Sequence, residues 1–182
     1  MTLSYIVLAG NKNQEILEKL LPKNLIQDVK IVGDSQYQVR SLASSLIATR
    51  HIPVILILDA NTDNESQIFE KTDLINYLLR RAAAKTPFQV SLAIPEIEII
   101  FLQNKSLIEK IAQRQFNDLE WKFAQSKPKE FLETVLGTEK SINEKIFGNI
   151  NDEEIKILQQ HSLIQEIMIF LSSLNVSSVA IN

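Results

Sequence analysis

The chain has 182 residues, of which 45% are hydrophobic, with no cysteine, two histidines and a formal net charge of −3. This composition is enough for one sizeable apolar core, and it excludes a disulfide framework, a thiolate zinc site and a cysteine nucleophile. His51 and His161 lie too far apart in sequence for metal-ligand spacing, and the mildly acidic charge argues against a broad nucleic-acid-coating surface.

Four short apolar segments alternate with helical patterns along the first half of the chain. The apolar segments are residues 4–8, 29–32, 53–58 and 88–94. The intervening stretches carry apolar residues at helical spacing. This β-α-β-α-β-α-β alternation predicts an α/β fold with a parallel sheet of four strands, or slightly more, covered by helices on both faces through right-handed crossovers.

Polar residues stand where the first three helices of this alternation are expected to begin. Asn13 can cap the first helix, which should end at Pro22, and Ser35 can cap the second. Asp63 or Asn64 can cap the third, a long helix. Its carboxyl end carries three cations that suit the helix dipole, namely Arg80, Arg81 and Lys85.

Beyond Pro95 the pattern is helical and contains no further strand signal. We expect a helix start at residues 96–101, a helix after Asn104, an irregular stretch or short helix at 113–126, a helix from Pro128 to Gly137 and a turn or two at 141–147. A final helix capped by Asn151 should carry one apolar stripe from Ile155 to Leu174, with His161 at its polar edge. The last eight residues are expected to form a tail.

The third apolar segment ends in a cluster of oxygen-bearing side chains. Five aliphatic residues, 54–58, predict a strand buried on both faces, and Asp59, Asn61 and Asp63 follow it. Ligands of open parallel sheets bind beyond the carboxyl ends of the strands. Acidic groups two residues apart suit Mg²⁺ or Mn²⁺. The competing interpretation is that these residues only end the strand and cap the next helix.

Other candidate residues have plain structural interpretations. Trp121, with Phe116 and Phe123, could stack on a base or form a small hydrophobic cluster under a loop. Basic side chains at Lys127, Lys129 and the end of the third helix could contact phosphates, although solvated surface charge is the default. The four glycines of the chain form no phosphate-binding loop.

Several short motifs together resemble the Toprim domain shared by topoisomerases, primases and OLD-family nucleases, most closely its short, stand-alone branch near the OLD nucleases. The family pattern is a strand ending in Glu-Gly, two β-α units, and a strand ending in Asp-x-Asp. Here the corresponding strand ends are Leu8-Ala9-Gly10, Gly33-Asp34 and Asp59-Ala60-Asn61. Residues 93–98 resemble the acidic segment of that branch, and residues 127–130 its Pro-Lys helix start. The resemblance implies a Toprim-like body at 1–126 and a packed helical extension at 127–182.

Two positions depart from the family pattern. Ala9 stands where the family has its catalytic glutamate, and Asn61 replaces the second aspartate, so only Asp59 matches. Replacement acids exist at Asp34, Asp63, Glu96 and Glu98. If the first strand lies between the second and third, Asp34 is two strand spacings, roughly 10 Å, from Asp59 and too far to share an ion. Glu96 and Glu98 can approach only if the segment after Pro95 turns back over the sheet.

We therefore expect a domain with reduced or lost catalysis that acts as a nucleic-acid-related or regulatory module. The resemblance implies an ATPase subunit as its partner. The alternative is a Mg²⁺- or Mn²⁺-dependent nuclease using Asp59, Asp63 and Glu96 or Glu98, with Asp59, Asn61 and Asp63 as metal ligands. Metal binding is expected to be weak or absent. A receiver domain phosphorylated at Asp59 is less consistent, because residues 9–11 supply no acidic pair.

The sequence also carries expectations about location. No apolar run reaches membrane-spanning length, and residues 1–10 are too short and uncharged to be a secretory signal. We expect a cytoplasmic protein without a membrane partner.

Overall fold

A computed structural model describes residues 3–11 and 13–179 of the chain. Within these ranges there is a four-stranded sheet in which every neighbouring pair of strands is parallel, in the order β2-β1-β3-β4. The strands are β1 (Ser4–Ala9), β2 (Val29–Asp34), β3 (Val54–Asp59) and β4 (Phe88–Ala93). The predicted α/β fold class is confirmed, and β1 lies between β2 and β3.

Helices connect the strands and continue beyond the sheet. Those of the first half are α1 (Gln14–Leu20), α2 (Lys23–Ile26), α3 (Gln36–Arg50) and α4 (Glu65–Ala83). After β4 follow a 3-10 helix (Ile97–Gln103), α5 (Lys105–Ala112), α6 (Asp118–Ser126), α7 (Pro128–Leu136), α8 (Glu139–Asn149), α9 (Asp152–Gln159) and α10 (Ser162–Val179). None of the described helices is both long enough and apolar enough to cross a membrane.

Each face of the sheet is covered by helices, because the alternating side chains of the central strands are apolar in both directions. On one face α3 and α4 pack against Val7 of β1 and against Leu56 and Leu58 of β3. On the other face α1 and the helices after β4 pack against Ile6, Leu8, Ile55 and Ile57. Residues 54–58 are at most 2% exposed, which confirms β3 as a strand buried on both faces.

Five of the predicted helix starts are confirmed, namely those at Ser35, Asn64, Asn104, Pro128 and Asn151. The side chain of Ser35 accepts a hydrogen bond from the Gln38 backbone N–H, and that of Asn64 accepts one from Gln67. Pro128 occupies the first turn of α7, and Gly137 follows its last residue. The stretch 113–126, expected to be irregular or a short helix, contains α6, which begins with a capping box of Asn117 and Glu120.

The prediction that Asn13 caps α1 is wrong. Asn13 precedes the helix, but its own backbone is already helical (φ −74°, ψ −18°), whereas a capping residue has an extended backbone. Its side chain instead donates from Nδ2 to the Ala9 carbonyl oxygen at 2.9 Å. Asn13 therefore fixes the turn after β1.

The single long helix predicted after Asn151 is in fact two helices. The chain leaves α9 at Gln160 and re-enters a helix at Ser162, and the Nδ1 atom of His161 accepts a hydrogen bond from the Leu163 N–H at 3.3 Å. His161 thus caps α10 and is not an edge residue of one stripe. The tail expected from residue 175 is helical to Val179, residues 180–182 lie outside the described residues, and α8 extends beyond the turn or two expected at 141–147.

Candidate functional site

The candidate site lies at the carboxyl edge of the sheet, where the loops after β3 and β4 are joined to each other. The Ala60 N–H donates to the Ala93 carbonyl oxygen and the Asn61 N–H to the Pro95 carbonyl oxygen, both at 2.8 Å. The Ile97 N–H donates to Oδ1 of Asp59 at 3.0 Å. These bonds turn the segment after Pro95 back over the end of β3, the condition under which Glu96 and Glu98 can approach Asp59.

Asp59 ends β3 with a carboxyl group that is largely withdrawn from water. Burial raises its pKa from 3.8 to about 6, against the hydrogen bond from Ile97, which lowers it. The charge of Glu96 raises the pKa of Asp59 further, and the charges of Lys129 and Lys71 lower it. The Lys71 Nζ atom donates to the Asp59 carbonyl oxygen at 2.6 Å, so the ammonium group binds the backbone rather than the carboxylate.

Glu98 lies in the 3-10 helix and is only 4% exposed. Burial raises the pKa of its carboxyl group from 4.5 to about 7, and the nearby charge of Asp59 adds to this increase. The hydrogen bond from its own backbone N–H and the charge of Lys129 oppose it. Glu98 therefore keeps its proton to a higher pH than an exposed glutamate does.

Glu96 connects the site to the C-terminal helices. Its Oε2 atom accepts a hydrogen bond from the Lys129 backbone N–H at 3.2 Å, in the first turn of α7. That position suits an anion, because the first backbone N–H groups of a helix have no partner within the helix. Glu96 also borders a cleft of about 480 Å³, which is lined by Asn61, Thr62, Asp63, Pro95, Ser126, Lys127 and Glu130 as well.

The neighbouring strand ends supply no carboxylate toward Asp59. Ala9 ends β1 and is 6% exposed. Its partner in the sheet is Asp34 at the end of β2, on the side of β1 away from β3. The Oδ1 atom of Asp34 accepts a hydrogen bond from the Ser35 N–H at 2.7 Å. Strand β1 therefore lies between Asp34 and Asp59, which is the arrangement under which the two acids are too far apart to share an ion.

The oxygen-bearing side chains near Asp59 differ in charge, in exposure and in the hydrogen bonds that they already accept. One oxygen of Asp59 and one of Glu96 already accept backbone hydrogen bonds. Asn61 provides only a neutral amide, from a left-handed backbone with φ 57°, and Asp63 is exposed. In residues 3–11 and 13–179 no three side chains of the His, Cys, Asp or Glu types are arranged to hold a metal ion. Magnesium demands near-ideal octahedral geometry.

The structure also shows where the aromatic and basic candidates from the sequence lie. Trp121 stacks with Phe116 at a centroid distance of 6.3 Å and contacts Phe131 edge-on at 6.1 Å, so these rings form a hydrophobic cluster. Lys127 borders the cleft, and Lys129 is close enough to lower the pKa of Asp59 and of Glu98. The cations near the end of α4 lie toward the opposite edge of the sheet, because α4 runs back to the start of β4.

Lys71 was missed by sequence reasoning. It is one of many charged residues on α4, and its local sequence gives no sign that it binds the end of β3. A geometric signal does exist, since the first turns of a helix that follows a parallel strand lie beside the end of that strand. Lys71 stands in the second turn of α4.

Comparison with known proteins gives similarity in structure only. No protein-family model and no curated protein matches the chain. The chain is similar to the C-terminal region of the Burkholderia pseudomallei OLD protein, with a TM-score of 0.49 and 10% identity over 92% of this chain and 99% of that chain. It is also similar to the C-terminal region of the Xanthomonas campestris pv. campestris OLD protein, with a TM-score of 0.44 and 9% identity over 92% and 97% of the two chains. Similarity at this level does not transfer an activity.

Proposed function

We propose that the chain is a Toprim-like domain with reduced or lost catalysis, which acts as a nucleic-acid-related or regulatory module together with an ATPase subunit. In this proposal residues 1–126 form the Toprim-like body and residues 127–182 its helical extension, and the protein works in the cytoplasm. The ATPase partner rests on the family resemblance of the strand-end motifs alone. The loss of catalysis rests on the geometry of the site.

The observation that carries the proposal is how the carboxylates are used. Asp59 and Glu96 accept hydrogen bonds from the backbone N–H groups of Ile97 and Lys129. These two bonds join β3, the segment after β4 and α7. Ala9 contributes no acid at the neighbouring strand end. Because catalysis with metal ions needs the right number of ligands in the right geometry, acids used in this way favour a structural role over a catalytic one.

The alternative function is a Mg²⁺- or Mn²⁺-dependent nuclease with relocated acids. One observation favours it: Asp59, Glu96 and Glu98 converge closely enough that Glu96 raises the pKa of Asp59 and Asp59 raises that of Glu98. Raised carboxyl pKa values in a cleft mark functional sites as well as structural networks. Asp63, which borders the same cleft, belongs to this alternative set.

A cleavage assay separates the two functions. The protein is incubated with single- and double-stranded DNA and RNA in the presence of Mn²⁺, and we expect no cleavage above that of the Asp59→Asn variant. This variant keeps an oxygen that can accept the Ile97 N–H, so it removes the charge with little change in shape. Asp73→Asn, on the exposed side of α4, is the matched control. Cleavage by the wild type and by Asp73→Asn that Asp59→Asn abolishes would establish the nuclease.

The partner is tested separately. The tagged chain and, as a control, the untagged chain are carried through the same affinity purification from cells that naturally produce the protein. ATP hydrolysis is then measured in both eluates. Tag-dependent ATPase activity is expected. Its absence under conditions that retain the chain would contradict the ATPase partner and leave the conclusion about catalysis unaffected.

A further inference from the structure

Helix α4 carries a second apolar row on the side that faces away from the sheet. Its inner side buries Ile75 and Leu79. Its outer side exposes Leu74 (57%), Tyr77 (56%) and Leu78 (52%). Contiguous apolar side chains of this kind on a protein surface mark an interaction site.

Two charged residues complete this surface. Glu70, Leu74, Tyr77, Leu78 and Arg81 follow the i, i+4, i+7, i+8, i+11 spacing of a single helical face, and we name them the α4 outer face. All five side chains are exposed. The Arg81 guanidinium lies 5.9 Å from the centroid of the Tyr77 ring, so the cation borders the apolar row directly.

A groove runs beside the α4 outer face, between α4 and α3. It has a volume of about 640 Å³ and is lined on the α3 side by small residues, including Ser41, Ser44 and Ala48. Leu78 lines its α4 side, and its floor reaches Leu56 of the central strand β3. The groove therefore offers depth for an apolar side chain from a molecule packed on α4.

The order of charges along α4 identifies the occupant. The pair Leu74 and Tyr77 and the pair Glu70 and Arg81 share one midpoint, between Ile75 and Asn76. A second α4 packed antiparallel about that point brings Leu74 against the partner's Tyr77, and Glu70 against the partner's Arg81. A parallel copy would instead place Glu70 beside Glu70 of the partner subunit. The face is thus complementary to itself under a two-fold axis, as an isologous interface requires.

We propose that the chain forms a symmetric homodimer through antiparallel contact of the α4 outer faces. The contact is modest in size. Helix α4 has 19 residues, so it is roughly 28 Å long, and a single helix pair with the rim of the groove buries less than the roughly 800 Å² per partner of a standard interface. The dimer is accordingly weak and depends on concentration, with a dissociation constant on the order of micromolar.

Charge reversal tests both the existence of this dimer and the antiparallel pairing of Glu70 with the partner's Arg81. Sedimentation equilibrium is measured from about 1 μM to about 200 μM for the wild type, Glu70→Arg, Arg81→Glu and the double variant. Each single reversal places two like charges together at both ends of the interface and should weaken dimerisation at least about tenfold. The double reversal restores both pairs and should recover most of the wild-type affinity. All of these side chains are exposed, so the variants should fold.

Two further variants locate the contact. Leu74→Glu should abolish the dimer, because it places charges at the centre of the apolar row. Leu119→Glu is the matched control, because Leu119 is 78% exposed on α6. This substitution should leave the dissociation constant of the dimer unchanged. A wild type that stays monomeric throughout the concentration range would overturn the proposal. So would a dimer that Leu74→Glu leaves intact, or single reversals whose effects the double variant does not repair.

Discussion

Glu98 is a buried carboxyl group whose pKa of about 7 couples the stability of the protein to pH. The unfolded chain releases this proton near pH 4.5, whereas the folded protein retains it up to about pH 7. Between these values the folded state binds more protons than the unfolded state. The contribution of Glu98 to stability is therefore most favourable below pH 4.5 and is lost as the pH rises to 7.

Replacing Glu98 by glutamine should remove the part of the pH dependence that Glu98 contributes, while Asp59, whose pKa is also raised, keeps its own part. At pH 8 the variant should be more stable than the wild type by an amount on the order of 3 kcal/mol, because no charge is buried, and its unfolding free energy should vary less between pH 4.5 and 7. Urea unfolding at several pH values measures both quantities. Glu133→Gln, an exposed site on α7, is the control and should leave the pH profile unchanged. An unaltered profile in Glu98→Gln would contradict the burial of an ionisable Glu98.

Residue-scale prediction from sequence succeeded where the chemistry is local. Ser35 and Asn64 cap helices because a polar side chain just before a helix can reach the free N–H groups of its first turn. The hydrogen bonds of Asp59 to Ile97 and of Glu96 to Lys129 join residues 38 and 33 positions apart. No local pattern contains that pairing, so the use of these acids became visible only in the folded chain.

At the scale of elements, the end of β2 is held very close to the turn after β1. A Cβ atom added to Gly33 would lie 2.5 Å from the Gly10 carbonyl oxygen and 3.2 Å from the Asn11 Cα. Both are backbone atoms that cannot rotate away. Gly33 therefore permits the close approach that places Ala9 and Asp34 side by side at the edge of the sheet.

Substituting alanine at two glycines tests this close approach. Gly33→Ala should lower the free energy of unfolding by roughly 2 kcal/mol or more, because the clash with backbone must be relieved by moving β2 or the turn. Gly148→Ala in α8 is the matched control: a Cβ atom there meets nothing within 4 Å. Alanine at Gly148 should raise stability by up to about 1 kcal/mol. Equal effects at the two sites, measured by thermal or urea unfolding, would contradict the packing of β2 on this turn.

Strands and helices were predicted well where the spacing of apolar residues and the length of the segment indicate the same type of element. The four strands follow from short apolar runs between helical patterns, and their bounds differ from the predicted ones by at most two residues at either end. The break between α9 and α10 was missed because the apolar stripe continues across it. Two turn-type backbone hydrogen bonds, from Gln160 to Ile157 and from His161 to Leu158, interrupt the helix there, and the Leu163 N–H then donates to His161 Nδ1.

At the scale of the whole molecule, the parallel sheet gathers the carboxyl ends of all four strands at one edge. The fold class followed from the sequence because alternation of strands and helices allows few other arrangements. The arrangement of the acids at the candidate site could not be predicted from the sequence. It depends on the loop after β4 folding back onto β3 and on the contact between α7 and Glu96. Both contacts bring together residues that are distant in sequence.

The central claim is that the acids at this edge hold the chain together and are too few to hold a catalytic metal pair. Calorimetric titration with Mn²⁺ tests it most directly, on the wild type and on Asp59→Asn, with Ala9→Glu/Asn61→Asp as a variant that restores the two missing carboxylates. We expect no saturable binding to the wild type at millimolar Mn²⁺ and saturable binding to the restored variant. Saturable binding of one or two ions to the wild type, lost in Asp59→Asn, would contradict the account.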